Sequence, residues 1–189
     1  MNSPLTASMT LTWRRKRNAS VIYLVEFLLK NGFLCGAGLK CRAAHGRGGI
    51  TTTKQEGDGA TPAGTHRLVR LLYRADRLTL PQCAIPAAPL SPRDGWCDDP
   101  VDRAYNQPVQ LPYPASHEAL WRDDGVYDVI GVLNWNLDPI IPGQGSAIFF
   151  HIATPDYAPT AGCVALTLDD MRAVLAAGLS AITIPAPGA

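Results

Sequence analysis

Residues 146–166 read SAIFFHIATPDYAPTAGCVAL. Ala147 to Phe150 is a short continuous apolar run, the pattern of a buried strand, and His151 stands at its end. The loop beyond is bent by Pro155 and Pro159 and closes on Gly162-Cys163-Val164, with eleven residues between His151 and Cys163. Upstream, Tyr127 to Leu133 (YDVIGVL) reads as a strand with a glycine interruption, followed by Asn134-Trp135-Asn136 and a turn-rich segment through Pro139, Pro142, Gly143 and Gly145. Downstream, Thr167-Leu168-Asp169-Asp170 resembles a capping box, and Met171, Val174 and Leu175 form a stripe at helical spacing that Gly178 would cap. Ala181 to Ile184 is a last short strand. The expected fold is mostly β with one or two short helices.

The central stretch also suits cysteine chemistry. A thiol near its free pKa of ~8.5 is only a few per cent thiolate at neutral pH, so it needs a base within hydrogen-bond reach. His151, fixed at a strand end, can be that base, because the loop is long enough to fold Cys163 back beside it. Gly162 allows close backbone approach to a substrate carbonyl, so that N–H groups of Gly162 and Cys163 could hold an oxyanion. The same residues also have a structural reading. A cysteine between Gly and Val is a small buried hydrophobe in many cores, and a strand-end His is often a satisfied core residue. Spacing alone leaves both readings open.

The segment resembles the catalytic motif of the L,D-transpeptidase family (YkuD-like domain), whose form is His-Gly, a variable loop, then Ser/Thr-x-Gly-Cys-x-Arg. Thr160, Ala161, Gly162 and Cys163 match in order, and His151 sits at the family's general base. Gly59-Ala60-Thr61-Pro62-Ala63-Gly64-Thr65 is similar to the family's Thr-Pro-x-Gly lead-in to a strand, and the resemblance runs from about Gly48 to Ile184. Ile152 replaces the Gly after the His, and Ala165 stands where the family usually has Arg.

The resemblance implies a sandwich- or barrel-like β fold and a thioester acyl-enzyme on Cys163, with peptidoglycan stem peptides as partners. It also implies a cell-envelope or periplasmic location, reaction with carbapenem-type inhibitors, and no cofactor. Carboxypeptidase or amide hydrolase activity on the same substrates, and a catalytically silent wall-binding domain, are the alternatives. Candidate substrate-binding residues are Thr160 and Tyr157 in the loop, Asn134 after the preceding strand, and Trp96 and Tyr105 as cleft walls. Without an Arg at 165, the thiolate would rely on His151 and the nearby helix end, or on Arg103 or Arg122 reaching the cleft.

At 189 residues, the chain from residue 14 onward is expected to form one domain with a substantial core. A composition 47% hydrophobic and 17% charged, with 16 Pro and 17 Gly, favours a strand- and loop-rich globule over a helical bundle. A net charge of +1 gives no case for a nucleic-acid partner. Cys35, Cys41, Cys83, Cys97 and Cys163 have spacings that fit no zinc pattern, although Cys35 with Cys41, or Cys83 with Cys97, could pair in an oxidising compartment.

Residues 1–13 are read as disordered. The basic cluster Trp13 to Arg17 before VIYLVEFLLKNGFLCGAG has the shape of a secretory signal, but Glu26 and Lys30 break the apolar run, which is also too broken for a membrane span. The favoured reading is a hairpin of Val21–Leu28 and Phe33–Ala43 about Lys30-Asn31-Gly32. His45 to Gly49 reads as a plain Gly-rich turn, and Thr65 to Tyr73 as a strand with His66 on its solvated face. Leu80 to Pro92, with four prolines, reads as an extended surface segment. Asp98, Asp99 and Asp102 are read first as turn formers, with a metal site or the acid/base pair of a glycosidase as the rivals, and Ser116 to Trp121 as a short helix capped by Ser116.

Overall fold

Alternation of apolar and polar side chains along the N-terminal hairpin becomes continuous apolar sequence in the middle strands, and the sheet order explains why. The computed structural model describes residues 24–188. In chain order its elements are β1 (Val25–Lys30), β2 (Phe33–Gly36), β3 (Leu39–Arg42), β4 (Ile50–Thr51), β5 (Thr61–Pro62), β6 (Gly64–Tyr73) and β7 (Ala87–Pro89). There follow β8 (Asp94–Cys97), β9 (Pro108–Gln110), β10 (His117–Ala119), β11 (Val129–Leu133), β12 (Phe149–Ile152), β13 (Val164–Leu166), α1 (Leu168–Ala176) and β14 (Leu179–Ile184). Among the described residues the fold is mostly β with one helix, as the sequence implied.

The main sheet runs β13-β12-β11-β6-β14-β1-β2-β3, with β7 paired to the outer half of β6. Its two ends meet. Ala44 and Ala165 exchange backbone hydrogen bonds at 2.9 Å in both directions, and Gly46 bridges Thr160, so the sheet closes into a nearly complete barrel. Strands β11 and β12 lie in the middle of two apolar layers. Val129, Leu133, Phe150, Val164 and Leu166 face one cluster, which also takes Met171, Val174 and Leu175 of α1. Ile130, Val132, Phe149 and Cys163 face the other, beneath the small sheet β10-β8-β9. Burial on both faces is what makes β11 apolar throughout. Its glycine has a packing cause: a Cβ at Gly131 would lie 2.7 Å from Leu68 Cδ1.

Thr167 caps α1 by accepting from the Asp170 N–H at 3.1 Å, and Gly178 follows the helix at φ +94°. The hairpin turn at Asn31-Gly32 is present, with β1 and β2 paired through Lys30 and Phe33. Four expectations need correction. Phe33–Ala43 is two strands, because Ala37 and Gly38 both take positive φ and turn the chain. Ser116–Trp121 is not helical. Its residues His117–Ala119 pair with β8, whose free edge offers backbone partners that a single helical turn could not supply for itself. Leu80–Pro92 is not wholly a surface segment, since β7 pairs with β6 and Leu90 is buried. His66 is not solvated. It is 5% exposed, with Nε2 2.9 Å from the Pro62 carbonyl and its ring edge-on to Trp135. All five cysteines are free thiols. The readings of residues 1–13 and of the basic cluster at 13–17 fall outside the described residues.

Candidate active site

The parallel pairing of β12 with β13 sets Phe150 beside Val164 and His151 beside Ala165. Alternation then sends Phe149, His151, Cys163 and Ala165 to one face of the sheet and Phe150, Val164 and Leu166 to the other. That first face is the floor of a cleft of about 470 Å³, lined by both His151 and Cys163. Thr160 stands in its wall. The Thr160 hydroxyl donates to the Cys163 carbonyl at 2.7 Å and accepts from the Gly162 N–H at 3.1 Å, which folds the loop tightly around the cysteine. Gly162 has φ +140°, and a Cβ there would lie 2.9 Å from the Ala60 carbonyl oxygen.

Cys163 is 7% exposed, and its sulfur donates to the Ala147 carbonyl and accepts from the Phe149 N–H, both at 3.3 Å. Burial pushes the thiol up to about 12; the Glu118 carboxyl adds to this, while the Phe149 N–H and Lys54 oppose it. His151 Nδ1 lies 2.9 Å from the Ile152 carbonyl, a hydrogen bond that needs a proton on Nδ1 and leaves Nε2 with the free lone pair. Burial holds His151 below its ordinary value, partly offset by that carbonyl. At rest, therefore, Cys163 is a neutral thiol and His151 a neutral imidazole, and both line the same cleft. The helix end does not change this. The residues of β13 separate Cys163 from α1, about 10 Å of extended chain, and α1 packs on the opposite face of the sheet.

The sequence missed the cleft's second wall. Tyr127 packs edge-on to His151 with ring centroids 5.3 Å apart, and its hydroxyl donates to Glu118 at 2.5 Å. Burial raises Glu118 above the usual carboxylate range, against the pull of the Tyr127 hydroxyl and Arg122. Asp98 also lines the cleft, and its Oδ1 is buried without a hydrogen-bond partner. Glu56 lines it too, held by the Tyr105 hydroxyl at 2.5 Å and the Ser146 hydroxyl at 2.7 Å. Glu118 was hidden by the helical reading of its segment, and Arg47 by the plain-turn reading of the Gly-rich loop.

Other candidates lie elsewhere. Asn134 follows the opposite end of β11 from Ile130, the partner of His151, and its side chain accepts from the Arg67 N–H at 2.7 Å. Trp96 is 4% exposed, donates to Asn106 at 2.9 Å and packs edge-on against Phe149 on the same side of the sheet as the cleft, so it is a buried support beside the site and does not line it. Tyr105 is buried and acts on the cleft only through Glu56. Tyr157 lines an adjoining groove, with the Arg42 guanidinium over its ring at 4.2 Å. Of the two arginines considered, Arg122 lines the cleft and Arg103 is outside it. Among the described residues no group of three His, Cys, Asp or Glu side chains is placed to hold a metal ion, and no helix is long and apolar enough to cross a membrane.

A nearly closed sheet thus brings His151 of β12 and Cys163, just before β13, to one cleft floor. The family model of the L,D-transpeptidase catalytic domain, YkuD, matches residues 28–178, and the chain belongs to that family. Membership supports an L,D-transpeptidase-type activity and a peptidoglycan-related function, in a family that is typically associated with the cell wall. No curated protein matches the chain.

Proposed function

We propose that the chain from residue 14 onward is one catalytic domain that transfers acyl groups between peptidoglycan stem peptides through a thioester on Cys163. The observation that carries the reading is the placement of His151 on β12 and of Cys163 just before β13 at the floor of one cleft, with His151 Nε2 left free. A thiolate–imidazolium pair is disfavoured before substrate arrives, because burial raises the thiol to about 12 and holds the imidazole below its ordinary value. The proton therefore moves as the bond forms. Sulfur attacks the carbonyl carbon of the donor's third residue while its proton passes to His151 Nε2, and the carbonyl π pair moves onto oxygen. The Cys163 N–H has no acceptor among the described residues and is the donor available to that oxyanion. The Gly162 N–H is already given to Thr160.

Collapse breaks the C–N bond, and His151 returns the proton to the departing amine of D-alanine. An amine of a second stem then attacks the thioester carbon, passes its proton to His151, and releases sulfur, which is reprotonated. Water in place of the amine gives trimming. The place of action is the cell envelope, and no cofactor enters any step.

The test is mass spectrometry of defined tetrapeptide muropeptides incubated with the protein. The expected products are cross-linked dimers and free D-alanine, both absent with Cys163→Ala. Trimmed tripeptide without dimer assigns the hydrolytic alternative. An active Cys163→Ala variant ends the mechanism, and an inactive parent favours a silent wall-binding domain.

A further inference from the structure

Three long cationic side chains line the cleft that holds Cys163: Arg47, Lys54 and Arg122. Two are already neutralised. Lys54 is paired with Asp58, and Arg122 with Asp124. Among the described residues no carboxylate pairs with Arg47.

The chain around Arg47 is shaped to hold it there. Its own N–H donates to the Thr160 carbonyl at 2.9 Å, which ties it to the loop that carries Cys163. The Gly46 N–H donates to Thr61 Oγ1 at 2.8 Å, and the Gly48 N–H to the Gly59 carbonyl at 2.9 Å. On both sides only glycine fits. A Cβ at Gly46 would lie 2.3 Å from the Gly59 oxygen, and one at Gly48 would lie 2.7 Å from the Asp58 oxygen. Gly59, at φ +66°, packs against the guanidinium itself: a Cβ there would meet Arg47 Cγ and Nε at 3.0 Å and Cζ at 3.2 Å. Three glycines thus place one arginine at the mouth of the cleft. An unpaired guanidinium in a preset position is suited to bidentate capture of a carboxylate.

We infer that Arg47 is a specificity-determining residue that binds a carboxylate of the peptide substrate. The inference rests on the peptide acyl-transfer reading of the cleft. The carboxylate comes either from the terminal residue that leaves or from an internal acidic residue of the stem. The other charges facing the cleft divide by role: Glu56 and Glu118 each accept from a tyrosine hydroxyl, and Asp98 lies among them.

The test separates recognition from chemistry by using the full chain with Cys163→Ala, which cannot turn over. Calorimetry measures binding of a stem tetrapeptide, its C-terminal amide and its internally amidated form. The expected result is that one of the two amides binds about tenfold more weakly than the acid. Adding Arg47→Ala should bring acid and amide to the same affinity, and Arg47→Lys should restore part of the difference. Which amide loses affinity identifies the carboxylate. Binding without discrimination, or discrimination that survives Arg47→Ala, overturns the role of Arg47 and leaves the cysteine reading standing. Failure of all three peptides to bind tells against the substrate class itself, and the Arg47 assignment falls with it.

Discussion

The reactivity of Cys163 toward a neutral alkylating agent should be low at pH 7 and should climb steeply with alkali. With its thiol pushed up to about 12, Cys163 has a thiolate fraction of about 10⁻⁵ at neutral pH, against about 3% for a free thiol near 8.5. The ratio is about 3,000-fold. A more basic thiolate is intrinsically more nucleophilic, and a Brønsted slope of about 0.4 returns roughly 25-fold of that. Cys163 should therefore react with iodoacetamide about a hundredfold more slowly than a free thiol at pH 7, before its 7% exposure slows it further. The rate should rise about tenfold per pH unit up to at least pH 10. Glu118→Gln should speed the reaction, because the Glu118 carboxyl is the second cause of the raised value, after burial. The assay is the time course of label on the tryptic peptide containing Cys163, followed by mass spectrometry across pH. A plateau at or below pH 7, with Cys163 labelled faster than a free thiol, would refute this reasoning and establish a preformed ion pair.

Replacing Gly162 by Ala forces a side chain into φ +140° and within 2.9 Å of the Ala60 carbonyl, so a loss of about 2–4 kcal/mol in urea unfolding is expected. If the loop shifts instead, the loss appears in kcat/KM; a variant unchanged in both would show that the loop is not held as described. His151→Ala should lower kcat/KM by ~10²–10⁴-fold, measured on the same muropeptides; a parental rate would move the base elsewhere. Burial lowers both His66 and His151, so each imidazole stays neutral in the fold and takes up its proton first in the unfolded chain. Their contribution is intact above pH ~6.5 and is lost as pH falls below it, by at most about 1.4 kcal/mol per pH unit for each; His66→Asn should flatten that acid limb in chemical denaturation. A carbapenem should leave a covalent mass increase on the Cys163 peptide, and an adduct found only on Cys83 or Cys97 would count against the site.

The elements legible in the sequence were those with strong local chemistry. Asn31-Gly32 marked the first hairpin, the Thr167 cap marked the helix, and the apolar runs of β11 and β12 marked the central strands. Local pattern failed where a partner strand decided the outcome. His117–Ala119 looked like the start of a helix until the edge of β8 claimed it, and His66 looked solvated because it was placed on the polar face of a partly alternating strand. In the site, the motif pointed to Cys163 and His151, but the opposite wall came from segments distant in sequence. Arg47 and Glu118 carry no local mark of their position, since it is the closure of the sheet and the docking of the small sheet that bring them to the cleft.

That closure also sets an order of events in folding. The Cys163 loop is bounded on one side by Ala44, Gly46 and Arg47, which come from the opposite end of the chain. These contacts carry a large loop-closure entropy and form late relative to hairpins such as β1–β2. A refolding chain that has formed its hairpins but not this closure lacks the contacts of Ala44 and Arg47 that wall the Cys163 loop. Activity should therefore appear in refolding only with the slowest phase, after strand content is nearly complete, because the walls that seat a substrate over the thiol are assembled last.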